Sequence, residues 1–196
     1  MREMVKMIVV LAILSSFSGG LLAAIKDGTK DKIEYQQLTF VKGPAIKTIL
    51  DGATNDPIVD RFKIDDQGIE RSFFIGVFDG AASSVAFESS GKGFGGDIGI
   101  MVGVDTTADN IVGVGVTTHS ETPGVGSKAK TDPSFVAQFQ GKPLVSAFQV
   151  KNDGGQVDAL TGATVTSRGV SMAVTDAGKV YERLKPQIIE KLKAFK

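Results

Sequence analysis

Ten residues, Asp158-Ala159-Leu160-Thr161-Gly162-Ala163-Thr164-Val165-Thr166-Ser167, bring together an acid, a glycine and four hydroxyl side chains immediately before a long run with helical spacing. A hydroxyl at the start of a helix ordinarily caps it, accepting a bond from one of the unpaired backbone N–H groups of the first turn. One cap is enough. Thr161, Thr164, Thr166 and Ser167 are more than the helix needs, and the surplus suggests that this turn holds something.

A second polar stretch, His119-Ser120-Glu121-Thr122-Pro123-Gly124-Val125-Gly126-Ser127-Lys128, lies upstream. Its Gly-Val-Gly-Ser-Lys portion does not meet the spacing of a phosphate loop. By composition it is a loop punctuated by Pro and Gly. His119 reads as a hydrogen-bonded residue at a strand end. Gly91-Lys92-Gly93-Phe94-Gly95-Gly96 fits G-x-G-x-x-G literally, but a dinucleotide fingerprint must open a helix. The next residues, Asp97-Ile98-Gly99-Ile100-Met101-Val102, read as a strand, so this segment is expected to be a flexible or ligand-approaching turn.

Composition narrows the chemistry. The chain has 196 residues with no cysteine and one histidine. Thiolate metal sites, cysteine-ligated iron–sulfur clusters, disulfides and thiol catalysis are thereby excluded within the chain, as is a multi-histidine metal site. Redox chemistry here would borrow an organic cofactor, with the protein supplying position and electrostatics. Lys+Arg and Asp+Glu are equal at 22 each, which gives no basic surplus for nucleic acid. Glycine is abundant, 24 residues, favouring tight turns and close backbone approach over a helical bundle.

The elements that must position these stretches come in order along the chain. Residues 1–25 form an N-terminal membrane anchor: Met7 to Ile25 carries no charge over 19 residues, close to the ~20 that cross a bilayer as helix. A cleaved signal peptide would begin in the same way. The apolar run resumes at Leu21-Leu22 after Ser18-Gly19-Gly20, which favours a retained anchor. Arg2 and Lys6 on one side face Lys26, Lys30 and Lys32 on the other, so charge alone does not orient it. Residues 26–56 are a tether with loose helical spacing from Gln36 to Leu50, broken by Gly43-Pro44.

Residues 57–196 are expected to form one α+β domain, a twisted and mainly antiparallel sheet packed with helices. Candidate strands are Ile58 to Ile64, Glu70 to Phe78, Ala82 to Glu88, Ile98 to Val104, Asn110 to Thr118 and Leu144 to Val150. Asp79-Gly80 is a hairpin signal. Asp132-Pro133 resembles a cap and first helical residue before a short helix over Ser134 to Phe139. After Thr164 the chain reads as helix to the end, with Gly178 and Pro186 expected to interrupt it. Lys191, Lys193 and Lys196 sit where positive charge suits a helix C-terminus.

Together the two polar stretches resemble a known family. Asp158-x-x-Thr161-Gly162-Ala163-Thr164 is similar to the flavinylation motif of the FMN-binding domains, and Glu121-Thr122-Pro123-Gly124-Val125-Gly126 resembles the loop found upstream in the same domains. Gly96-Asp97-Ile98-x-x-Met101-Val102-Gly103-Val104-Asp105 resembles the strand that precedes that loop in them. Behind one N-terminal membrane helix, the order resembles the G subunits of Rnf-type electron-transport complexes and the related C subunits of sodium-pumping NADH:quinone reductases. Val125 stands where the family usually has Leu, and Thr161 where Ser is commonest; both keep the chemistry possible.

The resemblance implies covalent FMN, esterified through its phosphate to Thr164, with Thr161, Gly162, Ala163, Thr166 and Ser167 around the phosphate. Glu121, Thr122, Gly124 and Val125 would line the ring, with Glu121 either tuning its potential or orienting Lys128. Asp158 would be recognised by a flavin transferase. It further implies an electron-transfer subunit of an ion-translocating oxidoreductase, moving sodium or protons, with the membrane, iron–sulfur and flavin subunits of that complex as partners. No side chain is assigned a catalytic role, and no metal is expected. The location implied is the inner (cytoplasmic) membrane, single-pass, with the FMN domain on the periplasmic side. An alternative from another class is an FMN-binding redox sensor, and a third is a cofactor-free binding module.

Overall fold

The computed structural model describes residues 1–195. It divides into two units, Met1–Leu38 and a larger one from Thr39 onward. The first is dominated by helix α1, Arg2–Gln36. Its stretch Arg2–Lys30 reaches a mean hydropathy of 2.3 in its most apolar 18 residues and is long and apolar enough to cross a membrane. Ile8, Val9, Leu11, Ile13 and Leu14 are all exposed on it and point to all sides, so the apolar surface runs around the helix and not along one stripe. A helix apolar on all sides suits lipid. The helix continues well past Ile25, so much of the expected tether is regular structure.

The second unit opens with a π-helical turn, Gln37–Lys42, which begins at the end of the first, and a short helix α2, Gly43–Ile49. Gly43-Pro44 does not end a helix here. It begins one, with Pro44 in the first turn, where its missing N–H has no partner to lose.

Five strands come next: β1 Arg61–Asp66, β2 Ile69–Phe78, β3 Ala81–Lys92, β4 Asp97–Asp105 and β5 Asn110–Thr118. They pair antiparallel with their neighbours in sequence order, a simple meander. The β2–β3 hairpin turns on Asp79 (φ 51°) and Gly80 (φ 78°), the two left-handed residues that its tight turn demands. Beyond β5 come two short helices, α3 Lys128–Thr131 and α4 Pro133–Ala137, then the long helix α5, Thr164–Ala194. Asp132 caps α4 as expected, accepting from Ser134 N–H at 3.0 Å.

Helix α5 lies across one face of the sheet, against β3, β4 and β1, and α2 covers β4 and β5. Val170, Ala173, Val174, Ala177, Tyr181, Leu184, Ile188 and Leu192 form the buried stripe of α5, packed with Phe73, Phe87, Ile100 and Val102 of the sheet. Glycines set the spacing. A Cβ on Gly91 of β3 would lie 2.1 Å from the Gly169 carbonyl oxygen of α5. On the other side, one on Gly103 would lie 2.2 Å from Ile49 Cγ2 of α2. Much of the glycine content therefore serves helix–sheet approach as well as turns.

Two sequence expectations are overturned. Gly178 and Pro186 do not interrupt α5, which runs unbroken from Thr164 to Ala194. The buried stripe continues through both, and Gly178 is there for packing: its Cβ would come within 2.4 Å of Leu144 O. Leu144 to Val150 is also not a strand. It crosses beneath α5 as irregular chain, its backbone met piecemeal, with Leu144 N–H bonded to Asp109 O at 2.9 Å and Phe148 N–H to Thr175 Oγ1 at 2.9 Å. Leu144, Phe148 and Val150 are buried because helix and sheet converge on them.

Candidate functional site

Three segments converge at the N-terminus of α5. The turn Leu160–Ala163 closes with Ala163 N–H donating to Leu160 O at 2.9 Å, and Gly162, at φ 78°, occupies the left-handed position that a residue with a Cβ would adopt only with strain. Ala163 then stands at the N-cap, where it has no side chain able to accept a bond. The first-turn N–H groups of α5 are left without a side-chain cap, and a helix end of this kind is suited to an anion.

The hydroxyl surplus resolves residue by residue. Ser167 is fully buried and spent on the turn: its Oγ accepts from Leu160 N–H and donates to Ala163 O, both at 2.9 Å. Thr166, also buried, donates to the Glu121 carboxylate. Thr161 is exposed and lies outside the cleft described below. Thr164, the first residue of α5, is half-buried, and its hydroxyl has no partner among the described residues.

An open cleft of about 350 Å³ lies over this turn, lined by Phe94, Glu121, Thr122, Val125, Gly126, Gly162, Ala163, Thr164, Val165 and Thr166. Its volume falls at the small end of ligand sites, which run to roughly 300–1,000 Å³. One wall is the loop after β5. There Val125 and Ser127 N–H both donate to Thr122 O at 3.2 Å, and Gly124 takes φ 73°. Packed against the start of that loop is the β3–β4 turn, closed by Gly93 N–H to Gly96 O at 2.8 Å. Phe94 at its tip is 76% exposed. This aromatic ring was hidden in a segment that reads only as a glycine-rich turn.

Glu121 joins all three segments. It is 5% exposed, accepts from Gly95 N–H at 2.7 Å through Oε1, and from Thr166 through Oε2. Burial pushes its carboxyl upward, but the bonds from Thr166 and from the Gly95 and Phe94 amides outweigh it and hold the pKa below the ordinary value. His119 sits beside it, its Nδ1 accepting from Glu121 N–H at 3.3 Å. No ion pair joins Glu121 to Lys128 among the described residues, and Lys128 is exposed and not among the cleft residues. The Thr122–Ser127 turn carries the chain past the cleft before Lys128 begins α3.

Asp158 also stands apart from the cleft. Its carboxylate meets Lys151 at 2.7 Å, and its backbone is clasped by the Gln138 amide, which accepts from Asp158 N–H at 2.7 Å and donates to Asp158 O at 3.2 Å. It is exposed at the surface of the loop that leads into the turn. A bidentate pair unmarked in the sequence, Arg168 to Asp153 at 2.6 Å for both bonds, ties the start of α5 to the Lys151–Asp153 turn.

Apolar walls, an uncapped helix end and a free hydroxyl on its first residue suit a planar aromatic group bearing a phosphate. The FMN-binding domain family matches residues 93–179, a span that includes every residue lining the cleft. Over nearly its whole length the chain is similar to G subunits of the ion-translocating oxidoreductase complex. It is 33% identical to that of Methanosarcina acetivorans, over 90% of this chain and 93% of the relative, and 30% identical to that of Vibrio vulnificus, over 91% and 90%. Among solved structures it is similar to NqrC of Shewanella oneidensis, at 29% identity and TM-score 0.53 over 72% of each chain. The C subunit of the Na(+)-translocating NADH-quinone reductase of Parabacteroides distasonis gives 27% identity and TM-score 0.52, over 59% of this chain and 63% of that one. With the apolar helix, the meander sheet and the cleft at the head of α5 in place, this chain belongs to the family of FMN-binding G subunits of ion-translocating oxidoreductase complexes.

Proposed function

We propose that this chain is a membrane-anchored flavoprotein subunit that carries FMN as a phosphoester on Thr164 and relays electrons within an Rnf-type ion-translocating oxidoreductase. The observation that carries the attachment point is the fate of the four hydroxyls. Ser167 and Thr166 are bonded within the protein, Thr161 lies outside the cleft, and of these four Thr164 alone is both free and at the cleft wall, at the first turn of α5. In attachment, Thr164 Oγ1 bonds to phosphorus, its proton leaves, and a P–O bond of an activated FMN donor breaks, a step assigned to a flavin transferase.

FMN supplies reversible two-electron chemistry; the chain supplies position. The phosphodiester keeps one negative charge against the uncapped N–H groups of α5, a contribution of about 0.3–1 kcal/mol, rising to ~2 where partly buried. Gly162 leaves the backbone open beside it. Thr122, Val125 and Phe94 frame the remaining space for the ring. So weak a non-covalent grip would lose the cofactor from an open cleft, and a covalent bond makes rebinding intramolecular. An open site also leaves one edge of the cofactor to a redox neighbour. The reading includes a sodium or proton as the transported ion. It places the domain on the periplasmic side, the short tail with Arg2 and Lys6 staying inside.

The test is flavin fluorescence on the denatured chain after electrophoresis, following co-production with a flavin transferase. The chain fluoresces and Thr164→Val is dark. A dark wild-type band overturns the attachment, and a fluorescent Thr164→Val band moves it to Thr161 or Thr166. Protease added to intact spheroplasts degrades the domain if it is periplasmic and spares it if it is not.

A further inference from the structure

Among the described residues, Glu121 is a buried carboxylate with no Lys or Arg partner. Its bonds come only from neutral dipoles: the Gly95 amide at 2.7 Å, the Thr166 hydroxyl and the Phe94 amide. The surroundings are built tightly around it. A Cβ on Gly93 would lie 2.5 Å from Oε1, and one on Gly126 would lie 2.8 Å from Oε2. Elsewhere in the fold a buried acid is neutralised, as Asp66 is by Arg71 at 2.7 Å and Arg183 at 2.8 Å. At the cleft wall the charge is kept without an ion pair, and the one ionisable group whose charge acts on it is His119, whose Nδ1 accepts from Glu121 N–H at 3.3 Å.

Dipoles stabilise the carboxylate locally but do not cancel its field, and because the carboxylate is buried in the cleft wall that field is screened less than a surface charge's. Two-electron reduction of a flavin at neutral pH takes up two electrons and one proton and leaves one negative charge on the ring. A fixed negative charge in the same wall opposes that gain.

We propose that Glu121 is a positioning residue that sets the reduction potential of the cleft flavin, its charge, unpaired by Lys or Arg, making the ring harder to reduce. The inference rests on the reading of the cleft as a flavin site. It assigns Glu121 a role that neither a turn residue nor a partner of Lys128 would have. Electrons reach the ring from a reduced neighbouring centre of the complex, and a low potential lets the flavin pass them on to a wide range of acceptors.

The experiment uses the full chain, co-produced with flavin transferase and purified in detergent. Its flavin is titrated at pH 7 with dithionite and mediator dyes while absorbance is followed. Glu121→Gln keeps the shape and an acceptor for Gly95 N–H but removes the charge, and its midpoint potential moves positive with flavin loading retained. Thr166→Val keeps the charge and removes a hydroxyl that partly offsets it, so its potential moves negative. Opposite signs are not what a merely structural role produces. A loaded Glu121→Gln chain at or below the wild-type potential overturns the inference. If Glu121→Gln takes up no flavin, Thr166→Val decides: a negative shift supports the inference, and no shift or a positive one overturns it. A wild-type chain without covalent flavin overturns the flavin reading and this inference with it, whereas a loaded wild type with unchanged variants overturns only the inference.

Discussion

Thr166 donates its hydroxyl hydrogen bond to the carboxylate of Glu121, 45 residues earlier in the chain. The bond pins the first turn of α5 to the loop after β5, and through Gly95 N–H the same carboxylate reaches the β3–β4 turn. Three segments distant in sequence therefore share one buried anion, and the cleft keeps its shape because none can move without unpairing it.

Removing the Thr166 hydroxyl leaves that anion with one donor fewer in a buried place. Thr166→Val is expected to lower stability by about 1–3 kcal/mol, the usual cost of such a loss, read as a lower urea midpoint at pH 7. The pH dependence has a definite sign. Glu121 has a folded pKa below its ordinary 4.5, so its contribution is whole above pH 4.5 and is lost as pH falls through the folded value. The variant, with its pKa closer to 4.5, loses less stability over that acid range than the wild type. Equal pH profiles for the two would sink the assignment.

Asp66 makes the same argument for the fold alone. Arg183 bonds it first, burial opposes, Arg71 adds a second bond, and the balance lowers its pKa from 3.8 to about 2. The pairing joins β1 and β2 to α5. Because Arg183 is partly open to water, the contribution at neutral pH is discounted to about 1–2 kcal/mol. It is complete above pH 3.8 and disappears between there and about pH 2. Asp66→Asn removes it and leaves two guanidinium groups facing a neutral amide. The expected outcome is a lower melting temperature at pH 7 and a flatter stability curve below about pH 4, followed by circular dichroism.

Close packing at two glycines of α5 separates stability from site geometry. A Cβ on Gly169 would lie 2.4 Å from Lys92 O, and one on Gly178 the same distance from Leu144 O. Backbone cannot give way cheaply, so Ala at either position is expected to cost about 1–3 kcal/mol, even after the better helix propensity of Ala is counted. Gly169 is five residues beyond Thr164, at the β3–β4 end of the contact; Gly178 is far along the helix. Covalent flavin per mole of folded protein should fall in Gly169→Ala and stay at the wild-type level in Gly178→Ala. Equal loading in both would show that the α5 seat does not matter to attachment.

How far the sequence could be read depends on the range of the forces involved. Asp79-Gly80 and the run from Asn110 to Thr118 were readable because turn chemistry and a Val/Ile-rich strand are local properties. The order of residues up to Thr164 pointed to one hydroxyl among four, and the geometry leaves that hydroxyl free at the cleft. Leu144 to Val150 misled because its apolar residues are buried by α5 and the sheet together, not by strand pairing. Gly178 and Pro186 misled because a helix clamped along its whole buried stripe tolerates residues that would break it in isolation. Glu121 could be singled out from its loop, but its bonds to Gly95 and Thr166 depend on segments that meet only in the folded chain.

Phe94 was the residue least visible beforehand, and it offers the sharpest check on how the cleft is used. Its side chain is 76% exposed and stands outside the hydrophobic core, so folding alone gives no reason for an aromatic there. It stands on the β3–β4 turn, which Glu121 holds through Gly95, and Val125, 40% exposed, lines the cleft from the loop after β5. A planar ring packed on Phe94 would gain an aromatic contact worth roughly 0.5–1.5 kcal/mol and lose access to water on one face. Phe94→Ala is therefore expected to leave the urea midpoint of the flavin-free chain near the wild-type value, a change within about 0.5 kcal/mol, as for an exposed site. In the flavin-loaded chain it should raise quenching of flavin fluorescence by iodide, because the ring loses its cover. Val125→Ala should do the same to a smaller extent, and the double variant should exceed either. If quenching in Phe94→Ala matches the wild type, the flavin does not lie under that turn, and the ring must leave the cleft on the side away from Phe94.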